Sequence, residues 1–207
     1  MGRSSKAESV KTRARILASA LDLFARKGYE RTTFVDIAAR LKLTKGAVYW
    51  HFDSKQALLL ALLEEMLAKF RRQLEELMPK EQLTFPAVAE MMVVNAERIV
   101  ADPKRAEFFM LMQTQVRWGD ESLSAVRERL QSGVTGGPYH AILQAVENDI
   151  AAGRVYAEVN ARSVASVAIS VWTGLVRARI ERFLECDLGD TIRNAFDGIW
   201  MTIHSED

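Results

Sequence analysis

Thr33-Phe34-Val35-Asp36-Ile37-Ala38-Ala39-Arg40-Leu41-Lys42-Leu43-Thr44-Lys45-Gly46-Ala47-Val48-Tyr49-Trp50-His51-Phe52 holds two helix-start signals separated by one short turn. Thr33 with Asp36 three places on reads as an N-cap: the hydroxyl accepts from a free amide and the carboxylate reaches back. Phe34, Ile37, Ala38 and Leu41 then fall on one helical face. Thr44 opens a second helix that ends around Trp50 or His51. Two short helices and a tight turn predict a helix-turn-helix, whose second helix can enter the major groove of duplex DNA.

Within that unit the residue types suit a phosphate-bearing partner. Thr44 offers a hydroxyl and backbone N–H at a helix end that attracts anions, and Lys45 reaches guanine acceptors or phosphate. Gly46 and Ala47 let the backbone approach closely. Tyr49, Trp50 and His51, past the tip, suit the sugar-phosphate backbone, and Lys55 adds a cation. Thr33, at the start of the first helix, and Lys42, in the turn, complete the candidate DNA-binding set. Phe52 reads as core, and Trp50 equally as core or interface. No second His, Cys or carboxylate stands at ligand spacing from His51, so a phosphate contact or a helix-end cation is expected there, and no metal.

The surrounding charge agrees. Residues 1 to 55 hold twelve basic side chains against five acidic ones, whereas the whole chain of 207 residues carries a net charge of only +1. A basic head on an acidic body is a nucleic-acid pattern, because neutralising phosphates releases counterions. The composition, with 49% hydrophobic residues, 11 Gly and 4 Pro, is that of a globular chain with a real core. The single cysteine, Cys186, forms no intrachain disulfide, and a reducing, cytoplasmic address is expected. The longest uncharged apolar run, Ser163 to Val176, is fourteen residues, short of the roughly 20 needed to span a bilayer, so no membrane is expected.

Outward from the unit, helical periodicity continues and no alternating strand pattern occurs, so the fold class is all-α. A first helix is predicted over Ser9 to Lys27, ended by Gly28. A fourth, capped by Asp53, runs from about residue 54 to 78, is stopped by Pro79, and links a head (1–55) to a body (56–207). Further helices are read at Phe85–Ala101, Pro103–Val116, Glu121–Gln131, Pro138–Ala152, Ala161–Glu185 and Asp190–His204. Gly133, Gly136, Gly137 and Pro138 break or kink the middle of the body.

Ile37-Ala38, the string Thr44 to Phe52, and Ser54-Lys55 closely resemble the DNA-binding domain of the tetracycline-repressor (TetR-like) family of transcription regulators, over residues 10 to 60. The resemblance implies a homodimer in which each DNA-binding head joins, through the fourth helix, a ligand-sensing body. The family usually has glycine in the turn where this chain has Lys42, and a lysine kept at positive φ there carries strain of about 1 kcal/mol.

The same resemblance places the dimer interface on the last two helices, with Val164, Val171, Leu175, Ile192, Phe196, Ile199 and Trp200. The helix from Ala161 is apolar almost all round, as a helix facing its own core and a partner would be. For a cavity, the middle helices offer Met91, Met92, Asn95, Phe109, Met112, Gln113, Val116, Trp118, Tyr139 and Trp172, which suit a bulky apolar or flat aromatic effector. The function implied is a repressor released from a palindromic operator by such a compound, controlling efflux or detoxification genes. Regulation of lipid or metabolite genes by an acyl-type ligand is the alternative, and an architectural DNA-binding protein without a ligand a weaker one. No nucleophile–base pair, facing carboxylates or phosphate-cradling glycine loop follows a strand, so no enzyme and no cofactor is expected.

Overall fold

Short polar side chains that accept from the free amides of a first turn set most helix starts in this chain. The computed structural model describes residues 2–77, 83–131 and 137–205. Its helices are α1 (Gly2–Lys27), α2 (Phe34–Leu41), α3 (Lys45–His51), α4 (Lys55–Leu77), α5 (Phe85–Ala101), α6 (Pro103–Thr114), α7 (Ser124–Gln131), α8 (Pro138–Ala151), α9 (Ala161–Ile180) and α10 (Leu188–Ile203). A 3-10 turn at Glu121–Leu123 precedes α7, and one isolated antiparallel bridge joins Val155 to His204. The all-α class read from periodicity is the class observed.

Several boundaries differ from the expected ones for local reasons. α1 begins at Gly2 and not at Ser9, because nothing between them interrupts a helix. Ser54, not Asp53, caps α4: its Oγ accepts from the Ala57 amide at 3.0 Å. Asp187 caps α10 by accepting from the Asp190 amide at 2.9 Å, so that helix starts earlier than Asp190. α9 stops at Ile180, short of Glu185. Arg182 adopts φ +63° and the Phe183 amide donates back to the Ala178 carbonyl at 2.8 Å, which reverses the chain. The helix stop at Pro79 and the breaks at Gly133 and Gly136 lie outside the described residues. Gly137 stands as the N-cap of α8 with Pro138 at its first position.

The chain divides into two compact units, Met1–Met66 with Glu107–Ser132, and Leu67–Ala106 with Gly133–Asp207. The division therefore falls inside α4 and not at residue 55. In the first unit, Ile16, Leu17, Ala20 and Phe24 of α1, Phe34 and Ile37 of α2, Val48 of α3 and Leu58, Leu59 and Leu62 of α4 share one core with Phe108, Leu111 and Leu123. The N-terminal part of α4 thus belongs to the core of the head. In the second unit, α5, α8, α9 and α10 bury Phe85, Val88, Met92, Ile142, Val146, Ala168, Ile192 and Phe196. Asp149, fully buried, accepts from the Phe85 amide at 2.7 Å and pairs with Arg154 at 2.7 Å, so its charge is met from two sides.

α9 is long and apolar enough, by length and composition, to cross a membrane, which the uncharged run alone did not reveal. It also carries Arg162, Arg177 and Arg179, and it buries Val164, Ala165, Ala168, Trp172 and Val176 in the core of its unit.

Candidate nucleic-acid interface

Both short helices are fixed by reciprocal local bonds and a few deeply buried anchors. The Thr33 amide donates to Asp36 Oδ2 at 2.8 Å, and the Asp36 amide donates to Thr33 Oγ1 at 3.3 Å. Asp36 also receives Lys27 Nζ at 2.7 Å. The Lys27 ammonium and the Thr33 donors lower the Asp36 carboxyl to about 2, so it is ionised throughout the neutral range. Thr33, exposed, thus spends its hydroxyl on the cap of α2.

Lys42 closes α2 in the left-handed region, at φ +56° and ψ +39°. Its amide donates to the Ala39 carbonyl, and the next amide, Leu43, donates to Ala38 at 2.9 Å. These two bonds satisfy carbonyls that a helix end leaves open, which offsets the strain of a non-glycine residue there. The lysine departs from the glycine pattern in side chain and keeps the turn geometry.

α3 is anchored by Val48, fully buried, and by Phe52, which is 4% exposed and caps the helix with its amide to the Val48 carbonyl. Everything else on the helix is turned outward or sits at the margin. Thr44 accepts from the Ala47 amide at 3.1 Å and is exposed, as are Lys45 and Gly46, with Ala47 half-buried. Trp50 is 73% exposed, and an indole in that position has no part in the core. Tyr49 is 46% exposed, its ring set edge-on to Phe34 at 4.8 Å and overlaid by Lys45 Nζ at 5.4 Å. His51 lies edge-on to Trp50 at 4.7 Å. Burial first, and then the Arg13 charge, hold His51 below the ordinary histidine value, so it stands there as a neutral hydrogen-bonding group.

Lys55 is a correction. Its ammonium turns to the chain, donating to the Tyr29 and Glu30 carbonyls at 3.0 Å each and lying 4.4 Å from the Tyr29 ring centroid. It ties the loop after α1 to the start of α4 and is not a free surface cation. No local pattern signals this tie, because it joins residues twenty-six apart.

The body residues divide between the units. Phe109, Met112, Gln113, Val116 and Trp118 belong to the first, and Met91, Met92, Asn95, Tyr139 and Trp172 to the second. Trp118 donates its indole N–H to the Met112 carbonyl at 2.9 Å and Trp172 to the Met92 carbonyl at 2.8 Å. Both indole donors are therefore committed within their own units. Among the dimer candidates, Ile192 and Phe196 are at most 1% exposed and Val164 is 9% exposed within the single chain, so these three are core residues and a correction to the expected interface. Trp200 stacks on Phe85, whose ring also stacks on Phe196 at 5.6 Å. Val171, Leu175 and Ile199 are half-buried. The exposed apolar side chains of these two helices are Val167, at 53%, and Met201, at 74%. Among the described residues no group of three or more His, Cys, Asp or Glu could hold a metal ion.

Residues 16–62, which hold α2, α3 and their anchors, match the model of the family described as bacterial regulatory proteins, tetR family. The probable acrEF/envCD operon repressor of Escherichia coli (strain K12) is 30% identical over 154 residues, covering 71% of this chain and 67% of that protein. The fold is similar to that of the transcriptional regulator FadR from Bacillus subtilis in complex with stearoyl-CoA, with TM-score 0.75 and 18% identity over 92% of this chain and 99% of that one. It is also similar to that of NalD, the secondary repressor of the MexAB-OprM multidrug efflux pump in Pseudomonas aeruginosa, with TM-score 0.71 and 22% identity over 96% and 98%. A capped helix-turn-helix with an outward-facing second helix, the matching family model and a repressor relative spanning two thirds of its length lead to one conclusion: the chain belongs to the tetR family of bacterial transcription regulators.

Proposed function

We propose that this regulator is a cytoplasmic repressor that binds a palindromic operator as a homodimer and is released by a bulky apolar or aromatic compound. The observation that carries the DNA half is α3 itself: one side locked by Val48 and Phe52, the other presenting Lys45, Tyr49 and Trp50 to solvent. An indole left 73% exposed on the same short helix as the Lys45 ammonium makes sense against a nucleic-acid surface and is costly to explain by stability. Thr44, Gly46 and Ala47 let the same end approach the duplex. Lys42, exposed in the turn, adds a phosphate contact. The expected dimer surface is the outer side of α9 and α10, around Val167 and Met201, with Val171, Leu175 and Ile199 at its margin.

The effector class rests on the methionine and aromatic content of the body helices. Within the second unit Met91, Tyr139 and the Trp172 ring supply apolar surface with Asn95 as an orienting amide, and within the first Phe109, Met112 and the Trp118 ring do so with Gln113, so each unit is read separately for such a ligand. Ligand binding displaces α4, a helix common to both units, and spoils the spacing of the two heads. A coupling of about 1 to 3 kcal/mol weakens operator binding by about 5- to 150-fold. The products regulated are efflux or detoxification functions.

The test is fluorescence anisotropy of the full-length protein on the DNA upstream of its own gene, titrated with salt, then with flat aromatic compounds and with stearoyl-CoA. Binding that weakens with salt and is reversed by the aromatic compounds is expected. Release by stearoyl-CoA alone moves the effector to the acyl class, and salt-insensitive or absent binding contradicts the operator reading.

A further inference from the structure

Several cations of the head are already engaged within the chain. Asp22 pairs with Arg26 at 3.0 Å and Arg40 at 2.7 Å, Asp36 with Lys27, and Glu8 with Lys11, while Lys55 is bound to carbonyls. Arg13 enters none of these pairs. It is exposed on α1, and its guanidinium carbon lies 4.9 Å from the centroid of the Phe52 ring. Phe52 is itself immobilised, 4% exposed and hydrogen-bonded by its amide to Val48 at the end of α3.

A cation–π contact of this kind engages only one side of a guanidinium. Its N–H donors lie in the plane and remain available for the oxygens of a phosphate, which the fixed fork matches. The neighbouring His51 is held toward its neutral form by burial and by Arg13 itself, so Arg13 supplies the full positive charge at this end of α3. At the other end, Lys45 Nζ lies 5.4 Å from the ring of Tyr49. The helix has seven residues and so is about 10 Å long at 1.5 Å per residue. One cation on an aromatic ring thus stands at each end of α3. A major groove of roughly 12 Å width has a phosphate backbone on either side, so a helix whose N-terminal end faces the base edges brings its C-terminal end toward one flanking backbone.

We propose that Arg13 is a phosphate-binding residue of the operator interface, held on the Phe52 ring so that it grips the backbone flanking the C-terminal end of α3. The inference rests on the reading of α3 as the recognition helix. It adds a contact from α1, outside the helix-turn-helix, and assigns it to affinity and register, not to base choice, because phosphates are the same at every base pair.

The test is the salt dependence of binding to a mixed-sequence duplex of 40 base pairs, measured on full-length wild type, Arg13→Lys, Arg13→Gln and Arg13→Met. Methionine keeps an unbranched side chain over the Phe52 ring, so it removes the charge while preserving the packing. For each bound protomer, Arg13→Gln and Arg13→Met should reduce the slope of log K against log salt by about 0.9, the value for one phosphate. Arg13→Lys should retain the wild-type slope. Circular dichroism melting identifies which neutral variant is folded at the assay temperature. A folded neutral variant with the wild-type slope overturns the proposal and leaves Arg13 as a brace of the helix end. Wild type with no salt-dependent binding overturns the operator reading itself, and this inference with it.

Discussion

Lys42 occupies a backbone conformation that favours glycine, at φ +56°, and nothing in its side-chain contacts requires it to be lysine. Replacing it with glycine should relieve strain of about 1 kcal/mol and raise the melting temperature by a few degrees. If Lys42 touches phosphate, the same change lowers the salt slope of DNA binding, so calorimetry and anisotropy on Lys42→Gly should move in opposite directions. Asp36 gives a pH signature. Its folded value of about 2 lies below the ordinary 3.8, so its contribution to stability is complete above pH 4 and is lost as pH falls toward 2. Asp36→Asn should flatten the stability loss across that interval in urea titrations. The residue scale is also where the sequence was least legible. The capping box at Thr33 and Asp36 could be read directly because both partners are local. The inward turn of Lys55 and the seat of Arg13 on Phe52 depend on residues far apart in the chain.

At the scale of elements, existence was legible and ends were not. α5 was predicted at its observed bounds, because Thr84 caps it, a proline follows its first residue, and a β-region Asp102 closes it before Pro103. α4 shows the opposite case, where two adjacent residues, Asp53 and Ser54, both have capping side chains and only geometry selects one. Since Ser54 Oγ holds the Ala57 amide, Ser54→Ala should cost about 1 kcal/mol in chemical denaturation, and Asp53→Ala a few tenths at most. Equal losses would return the cap to both residues. α9 and α10 stand where periodicity puts helices, but α9, apolar almost all round, does not declare which side faces its own core, and the single apolar stripe of α10 does not say whether its own unit or a partner covers it. The wheel positions of Val164, Ile192 and Phe196 are as apolar as those of Val167 and Met201, and packing alone separates them.

For the molecule as a whole, two kinds of surface organise the account. One is the charged and aromatic face of α3, read from a single motif. The other is the exposed surface of α9 and α10, on which Val167 and Met201 stand out as apolar side chains. If that surface joins two copies of the chain, Val167→Glu should shift the sedimentation coefficient from dimer to monomer without lowering helix content. Phe196→Ala, by removing a ring that is 1% exposed, should cost about 3 to 5 kcal/mol of stability. A Val167→Glu protein that remains dimeric places the interface elsewhere.

The central claim is that α3 reads base edges through its N-terminal end. Selection of bound sequences from a pool of random duplex DNA, performed side by side with wild type and Lys45→Ala, tests it most directly. Wild type should enrich a palindrome whose half-sites lie about 34 to 36 Å apart. Lys45→Ala should still bind DNA but lose its preference at one or two positions in each half-site. A wild type that enriches no sequence, or a Lys45→Ala protein that enriches the same sequence with the same stringency, contradicts the account.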